Sequence, residues 1–156
     1  MPMIDSAITG DDRDVVARVL QAALVDLVDL SLQAKQAHWN VTGRSFRSLH
    51  LQLDELVTIA RTHADVVAER AAALGISPDG RVKTLADSLQ TPQLDGGYLH
   101  DEVVSETVTQ LLLAVVQRFR GYVSDTDEPD PVTQDLLIAA TQELEQQHWM
   151  FQAMTR

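Results

Sequence analysis

Apolar residues recur at intervals of three and four over four long stretches of the chain, the spacing that lines up side chains on one face of an α-helix. The first stretch, from about Asp11 to Asn40, carries Val16, Val19, Ala23, Leu27, Leu30 and Ala34. Asp11, Asp12 and Asp14 crowd its start, where the helix dipole favours negative charge. Val41 to Ser45 reads as a short loop. The second stretch, from about Phe46 to Leu74, carries Leu49, Leu53, Val57, Ala60, Ala64 and Ala68, and Gly75 followed by Pro78 gives it a stop signal. Residues 76–100 contain Pro78, Gly80, Pro92, Gly96 and Gly97, which break any long helix, and Thr84 to Gln90 is predicted as one short helix within this connection. A third long helix starts near Asp101 with Val104, Val108, Leu111, Val115, Phe119 and Tyr122 on its stripe. Asp125 to Asp130 form an acidic turn. Asp130 is placed to cap a fourth helix with Pro131 at its first position, and that helix carries Leu136, Ala140, Leu144 and Phe151. No strand alternation and no repeat is visible.

Short links join the first helix to the second and the third to the fourth, and one long connection joins the second to the third. The expectation is an all-α, antiparallel four-helix bundle with a single crossover and a short extra helix inside it. Periodicity by itself supports a bundle without selecting this topology over other helical folds. At 156 residues with 45% hydrophobic content, the chain suits one domain over 1–156 with a real core, preceded by a short acidic tail of about ten residues.

The chain has no cysteine, which excludes disulfides, thiolate metal sites and cysteine nucleophiles; any metal must be held by His, Asp and Glu. This fits a reducing, cytoplasmic compartment. Met1 to Asp14 lacks the basic-then-apolar order of a signal peptide, and no apolar run is long enough to span a bilayer, so no membrane partner is expected. The formal net charge of −11 repels nucleic acid and attracts cations; solubility alone is a second explanation of it.

One stripe of the second helix brings chemistry together. At ~100° per residue, Asp54 lies about 40° around from His50, Asp65 about 60° and Glu69 about 100°. Yet at ~1.5 Å rise per residue, His50 and Asp65 are roughly 22 Å apart, so one ion cannot touch both. His50 with Asp54 and Asp65 with Glu69 are therefore two separate half-sites. Two copies of this helix, laid antiparallel across a two-fold axis near Ile59 and Ala60, would bring the first half-site of each against the second half-site of the other. His38, near the end of the first helix, is placed to join from the same chain. Two imidazoles with carboxylates suit iron, and also zinc or manganese. The plainer reading is a solvated charged face, with His38 a hydrogen-bonded core residue. Glu145-Gln-Gln-His148 has the Glu-x-x-His spacing of bundle di-iron sites, but those sites use two such motifs and only one is present. His63 lies about 220° from His50 and points away from the stripe.

The string Lys35-Gln-Ala-His38-Trp39-Asn40-Val-Thr-Gly43, then Phe46, Leu49-His50 and Asp54, then His63-Ala-Asp65-Val-Val-Ala-Glu69-Arg70 and Leu74-Gly75, resembles the Dps family, the ferritin-like DNA-binding proteins from starved cells. The resemblance covers essentially the whole chain and is strongest over 35–75. It implies a ferritin-like fold, a homo-oligomeric shell of twelve subunits and a ferroxidase centre at each two-fold interface. It implies iron ligands at His38, His50 and Asp54 from one subunit and at Asp65 and Glu69 from its partner, with no ligand position substituted. It also implies a radical-intercepting Trp39 beside the centre, for which a packed aromatic at a helix end is the simpler role. Lys35 and Asn40 read as structural. Asp127, Asp130 and Asp135, around the start of the fourth helix, are candidates for an iron-entry pore, with a helix cap the rival role for Asp130. The reaction so implied is oxidation of Fe²⁺ to Fe³⁺ by hydrogen peroxide or oxygen, followed by mineral storage, which protects against oxidative stress. The resemblance adds the nucleoid as a candidate location within the cytoplasm.

DNA binding departs from the pattern. Family members that bind DNA directly often use a lysine-rich tail, whereas residues 1–14 hold four aspartates against one arginine, and Lys35 and Lys83 are the only lysines. No strong direct DNA binding is expected at physiological salt. Two other functions remain open at this stage. One is a metal-dependent hydrolase activity at the same site. The other is a structural or binding shell in which the stripe is an ion-paired interface.

Overall fold

The computed structural model describes residues 4–155. Four long helices dominate: α1 (Gly10–Asn40), α2 (Phe46–Ala73), α4 (Asp101–Asp125) and α5 (Pro131–Met154). A short helix, α3 (Val82–Ser88), lies in the crossover, and two-residue strands β1 (Val41–Thr42) and β2 (Leu99–His100) pair beside the ends of α1 and α4. Two helical hairpins result. α1 packs most extensively on α2, and α4 on α5, as five-residue links between neighbours require.

The apolar stripes meet as expected. Leu20, Leu27 and Leu30 of α1, Leu49, Leu53 and Leu56 of α2, Leu111, Leu112 and Phe119 of α4, and Leu137 and Phe151 of α5 are fully buried in one core. Each contributes about 1.5–3 kcal/mol relative to an exposed position. Gly75 ends α2 with a φ of 68°, a conformation that a side chain resists, and the Ile4 carbonyl oxygen passes 2.8 Å from where its Cβ would stand. The segment before α1 is thus folded onto the end of α2, and Arg13 Nη2 donates to the Gly75 carbonyl at 2.8 Å. Of the acidic tail expected over residues 1–10, residues 1–3 lie outside the described part.

Three features differ from the sequence expectation. The first is the parallel pair, Val41 with Leu99 and Thr42 with His100; two residues are too few to show alternation. The second is the start of α3, two residues earlier than Thr84. Asp79 accepts from Arg81 N at 3.1 Å and from Thr84 Oγ1 at 2.8 Å, so its carboxylate gathers the first turn upstream. The third is that polar side chains hold the crossover to α1. Asp29, 5% exposed, accepts from Gln33 Nε2 (2.7 Å), Thr91 Oγ1 (2.8 Å) and Gln93 Nε2 (3.1 Å), and Gln33 bonds the backbone at Pro92 and Leu94. One turn away, Asp26 accepts from Arg118 Nε at 2.8 Å and the Tyr122 hydroxyl at 2.7 Å. Burial raises the Asp26 carboxyl above its ordinary range more than these donors lower it, and burial likewise pushes the Tyr122 phenol upward.

Candidate metal centre

His38 sits in the last turn of α1 and His50 in the second turn of α2, held face to face by the short link between the helices. Their rings stack with centroids 3.6 Å apart and planes 17° from parallel. His38 Nδ1 lies 2.6 Å from the His50 carbonyl oxygen, and His50 Nδ1 lies 2.8 Å from the His38 carbonyl oxygen. A carbonyl only accepts, so both Nδ1 atoms carry the proton and donate. A neutral imidazole bonded in this way carries its bare lone pair on Nε2, the tautomer that ligates a metal. Phe46 also stacks on His50, with ring centroids 5.0 Å apart.

Asp54 stands one helical turn beyond His50. Its carboxylate is paired with Lys35 Nζ from α1. The Lys35 hydrogen bond holds the Asp54 carboxyl below the usual carboxylate range. Lys35, read from the sequence as structural, thus touches an expected ligand. Asn40 is structural, donating to the Gln36 carbonyl at the end of α1. Trp39, next in sequence to His38, is 65% exposed, and Phe46 is 43% exposed, where helix-end aromatics would normally pack.

Asp65 and Glu69 lie on the exposed side of α2, about three turns and more past Asp54. The chain therefore brings His38, His50 and Asp54 to one end of the α1–α2 hairpin and leaves Asp65 and Glu69 at the other. Among the described residues, no group of three or more His, Asp or Glu side chains is gathered tightly enough to hold a metal within one chain.

The ferritin-like domain profile matches residues 17–156. The chain is 36% identical over 143 residues to DNA protection during starvation protein 2 of Deinococcus radiodurans, covering 92% of this chain but 59% of that relative's length. It is 37% identical to the DNA protection during starvation protein of Mycolicibacterium smegmatis, over 88% of this chain and 75% of the relative. The fold superposes on the structure of Dps from Microbacterium arborescens in the high iron form with a TM-score of 0.90, at 28% identity, covering 96% of this chain and 97% of that one. The chain belongs to the Dps family of ferritin-like proteins.

The other residues singled out in this Dps chain divide clearly. Asp130 is 5% exposed, accepts from Val132 N at 3.3 Å as the cap of α5, and is bonded by Arg70 Nη2 at 2.7 Å and by Thr133 Oγ1. Burial alone would raise its carboxyl, and these donors outweigh burial to hold it below its ordinary range. The cap therefore occupies Asp130, and the pore expectation rests on Asp127 and Asp135, both exposed. Asp127 accepts from Gln134 Nε2 at 3.0 Å. Glu145 pairs with Arg120 of α4 at 2.6 Å, while His148 Nε2 is buried, so the Glu-x-x-His motif is split between surface and packing. His63 is buried against α5, with Nε2 3.3 Å from Glu143, away from the stacked pair. No helix among the described residues is long and apolar enough to cross a membrane.

The stacked histidines are where sequence reasoning fell short. Both were candidate ligands in the sequence, but the reciprocal bonding that fixes their tautomers depends on the register of two helices, and no sequence period encodes that.

Proposed function

We propose that this chain assembles with copies of itself into a shell that oxidises Fe²⁺ at centres shared by two subunits and stores the ferric product as mineral. The observation that carries this reading is the His38–His50 pair. Two imidazoles have their Nδ1 protons committed to backbone carbonyls and their Nε2 lone pairs free, beside the Asp54 carboxylate. Iron ligation needs that tautomer, and a purely structural pair does not. Asp65 and Glu69 of a two-fold partner would supply the opposing carboxylates, whose negative charge favours the harder ferric ion. The family match and the high-iron form of the Microbacterium relative support iron as the substrate.

Hydrogen peroxide is the oxidant proposed: each molecule takes one electron from each of two ferrous ions and, with two protons, leaves as two waters. Coupling the two removes peroxide and Fe²⁺ together and so suppresses hydroxyl radical. Trp39, exposed and next in sequence to His38, would be oxidised in place of more distant groups. The net charge of −11 concentrates cations at the surface, with Asp127 and Asp135 as candidate entry residues. Protection of DNA, the role in the names of the relatives, would then come from removing iron and peroxide.

The test is anaerobic Fe²⁺ loading followed by peroxide, read by absorbance and light scattering, on wild type and on His50→Ala/Asp54→Ala. Fast oxidation and a soluble product in wild type, largely lost in the variant, is the expected result. Equal slow oxidation with precipitation in both would overturn the reading.

A further inference from the structure

The reciprocal bonds between His38 and His50 hold only if the last turn of α1 and the first turns of α2 keep one register, so the link over residues 41–45 acts on the two histidines together with the packing of α1 on α2. Local bonds tie the two ends of that link, Val41 N–H donating to the Ala37 carbonyl and Phe46 N–H to the Gly43 carbonyl at 3.3 Å, and a contact from outside the hairpin is added to them. Ser45, at the N-cap position of α2, makes no side-chain capping bond. Its backbone N–H instead donates to Asp101 Oδ2 at 2.7 Å, a carboxylate that arrives from the first residue of α4. The same carboxylate fills the space over Gly43. A Cβ there would stand 2.7 Å from Oδ2 and closer still to Oδ1, and Gly43 also has a φ of 123°, which a side chain resists. On the other side of the link, Val41 and Thr42 pair with Leu99 and His100, the two residues just before Asp101, and Thr42 Oγ1 donates to the Leu99 carbonyl at 3.2 Å. Residues 99–101 thus grip both halves of a link that begins three residues after His38 and ends five before His50. The Ser45 N–H is the main reason the Asp101 carboxyl sits below its ordinary range, which shows how directly the charge bears on this one donor.

We propose that Asp101 is a positioning residue for the metal centre: by accepting the Ser45 N–H and closing over Gly43, it sets the register in which His38 and His50 present their Nε2 atoms together. This deepens, and rests on, the proposed metal centre. Residues one step behind a ligand typically change metal affinity by about 10–100-fold when removed. Asp101 acts through a backbone link rather than on a ring directly, so the lower end of that range applies.

The experiment measures Co²⁺ binding to the assembled protein by its d–d absorption, recording both the dissociation constant and the band positions, for wild type, Asp101→Ala, Asp101→Asn, Gly43→Ala and Tyr122→Phe. Asp101→Ala and Gly43→Ala are expected to bind Co²⁺ about tenfold more weakly with altered bands. Asp101→Asn, whose amide oxygen can still accept the Ser45 N–H, should stay within about threefold of wild type. Tyr122→Phe loses a buried hydrogen bond near the opposite end of α4 and should lower the melting temperature without moving Co²⁺ affinity. Wild-type affinity and bands in Asp101→Ala, or an Asp101→Asn as weak as Asp101→Ala, would overturn the proposal. If Asp101→Ala does not fold, Asp101→Asn and Gly43→Ala decide by the same criteria. A wild type that binds no Co²⁺, or a His50→Ala that binds it equally well, would instead overturn the centre itself.

Discussion

Lys35 and Asp54 show how much one contact can add to a list of ligands. In the chain as folded, the ammonium of Lys35 occupies the carboxylate that an incoming metal would use. Lys35 is therefore a resident counter-cation, and at the proposed centre an entering metal would have to displace it. Lys35→Met, which keeps the aliphatic stem, is expected to tighten Co²⁺ or Zn²⁺ binding roughly 2–5-fold, the scale of a solvent-screened ion pair, as read by competition with a chromogenic chelator. Weaker binding in this variant would mean that Lys35 holds Asp54 in place for the metal rather than competing with it. The nearness of His38, His50 and Asp54 to one another was legible from spacing and the family resemblance. The Lys35 contact was not, because it joins positions nineteen apart on two helices and depends on their relative rotation.

At the scale of elements, the helices follow their stripes and stop signals closely, because an apolar face three or four residues in period has only one way to be buried. The parts that escaped are polar. Asp26 and Asp29 occupy positions on α1 that a pattern reading assigns to solvent, yet both are buried under the crossover and α4. Their partners, Thr91, Gln93, Arg118 and Tyr122, lie some sixty to ninety-six residues away. Hydrophobic periodicity carries no signal for such long-range polar contacts. Asp130 was legible as a cap, but its bond to Arg70 was not. Because both cap and ion pair are lost together, Asp130→Ala is expected to destabilise the fold by about 2–3 kcal/mol, measured by urea unfolding. The pH dependence follows from the same contacts. The folded carboxyl lies below its unfolded value, so the stabilisation is complete above the ordinary carboxylate range and is lost as pH falls through the folded value. Wild type should therefore lose more stability than Asp130→Asn on acidification through that range; parallel losses would show that Asp130 contributes nothing to the acid limb.

The whole molecule is acidic, and its charge sets an expectation for one partner. With −11 per chain and two lysines, a gel shift with linear duplex DNA at physiological salt and low magnesium is expected to show no retardation at micromolar protein. Tight binding would mean that the basic residues, mostly arginines, gather into a cationic patch that outweighs the net charge.

If the centre is shared between two subunits as proposed, the separation of its two halves along α2 has a consequence that can be read genetically. A subunit carrying His50→Ala spoils the first half of a centre, and one carrying Asp65→Ala spoils the second; assembled alone, each should be inactive. Mixed at equal amounts before assembly, they form hybrid pairs in which one centre combines both lesions and the other combines neither. If pairing is random, roughly a quarter of all centres should regain iron oxidation, although no intact gene product is present. Such intragenic complementation is out of reach for any site contained within a single chain. Two dead alleles that restore each other would identify the pair of subunits, rather than the polypeptide, as the unit on which selection for this chemistry acts.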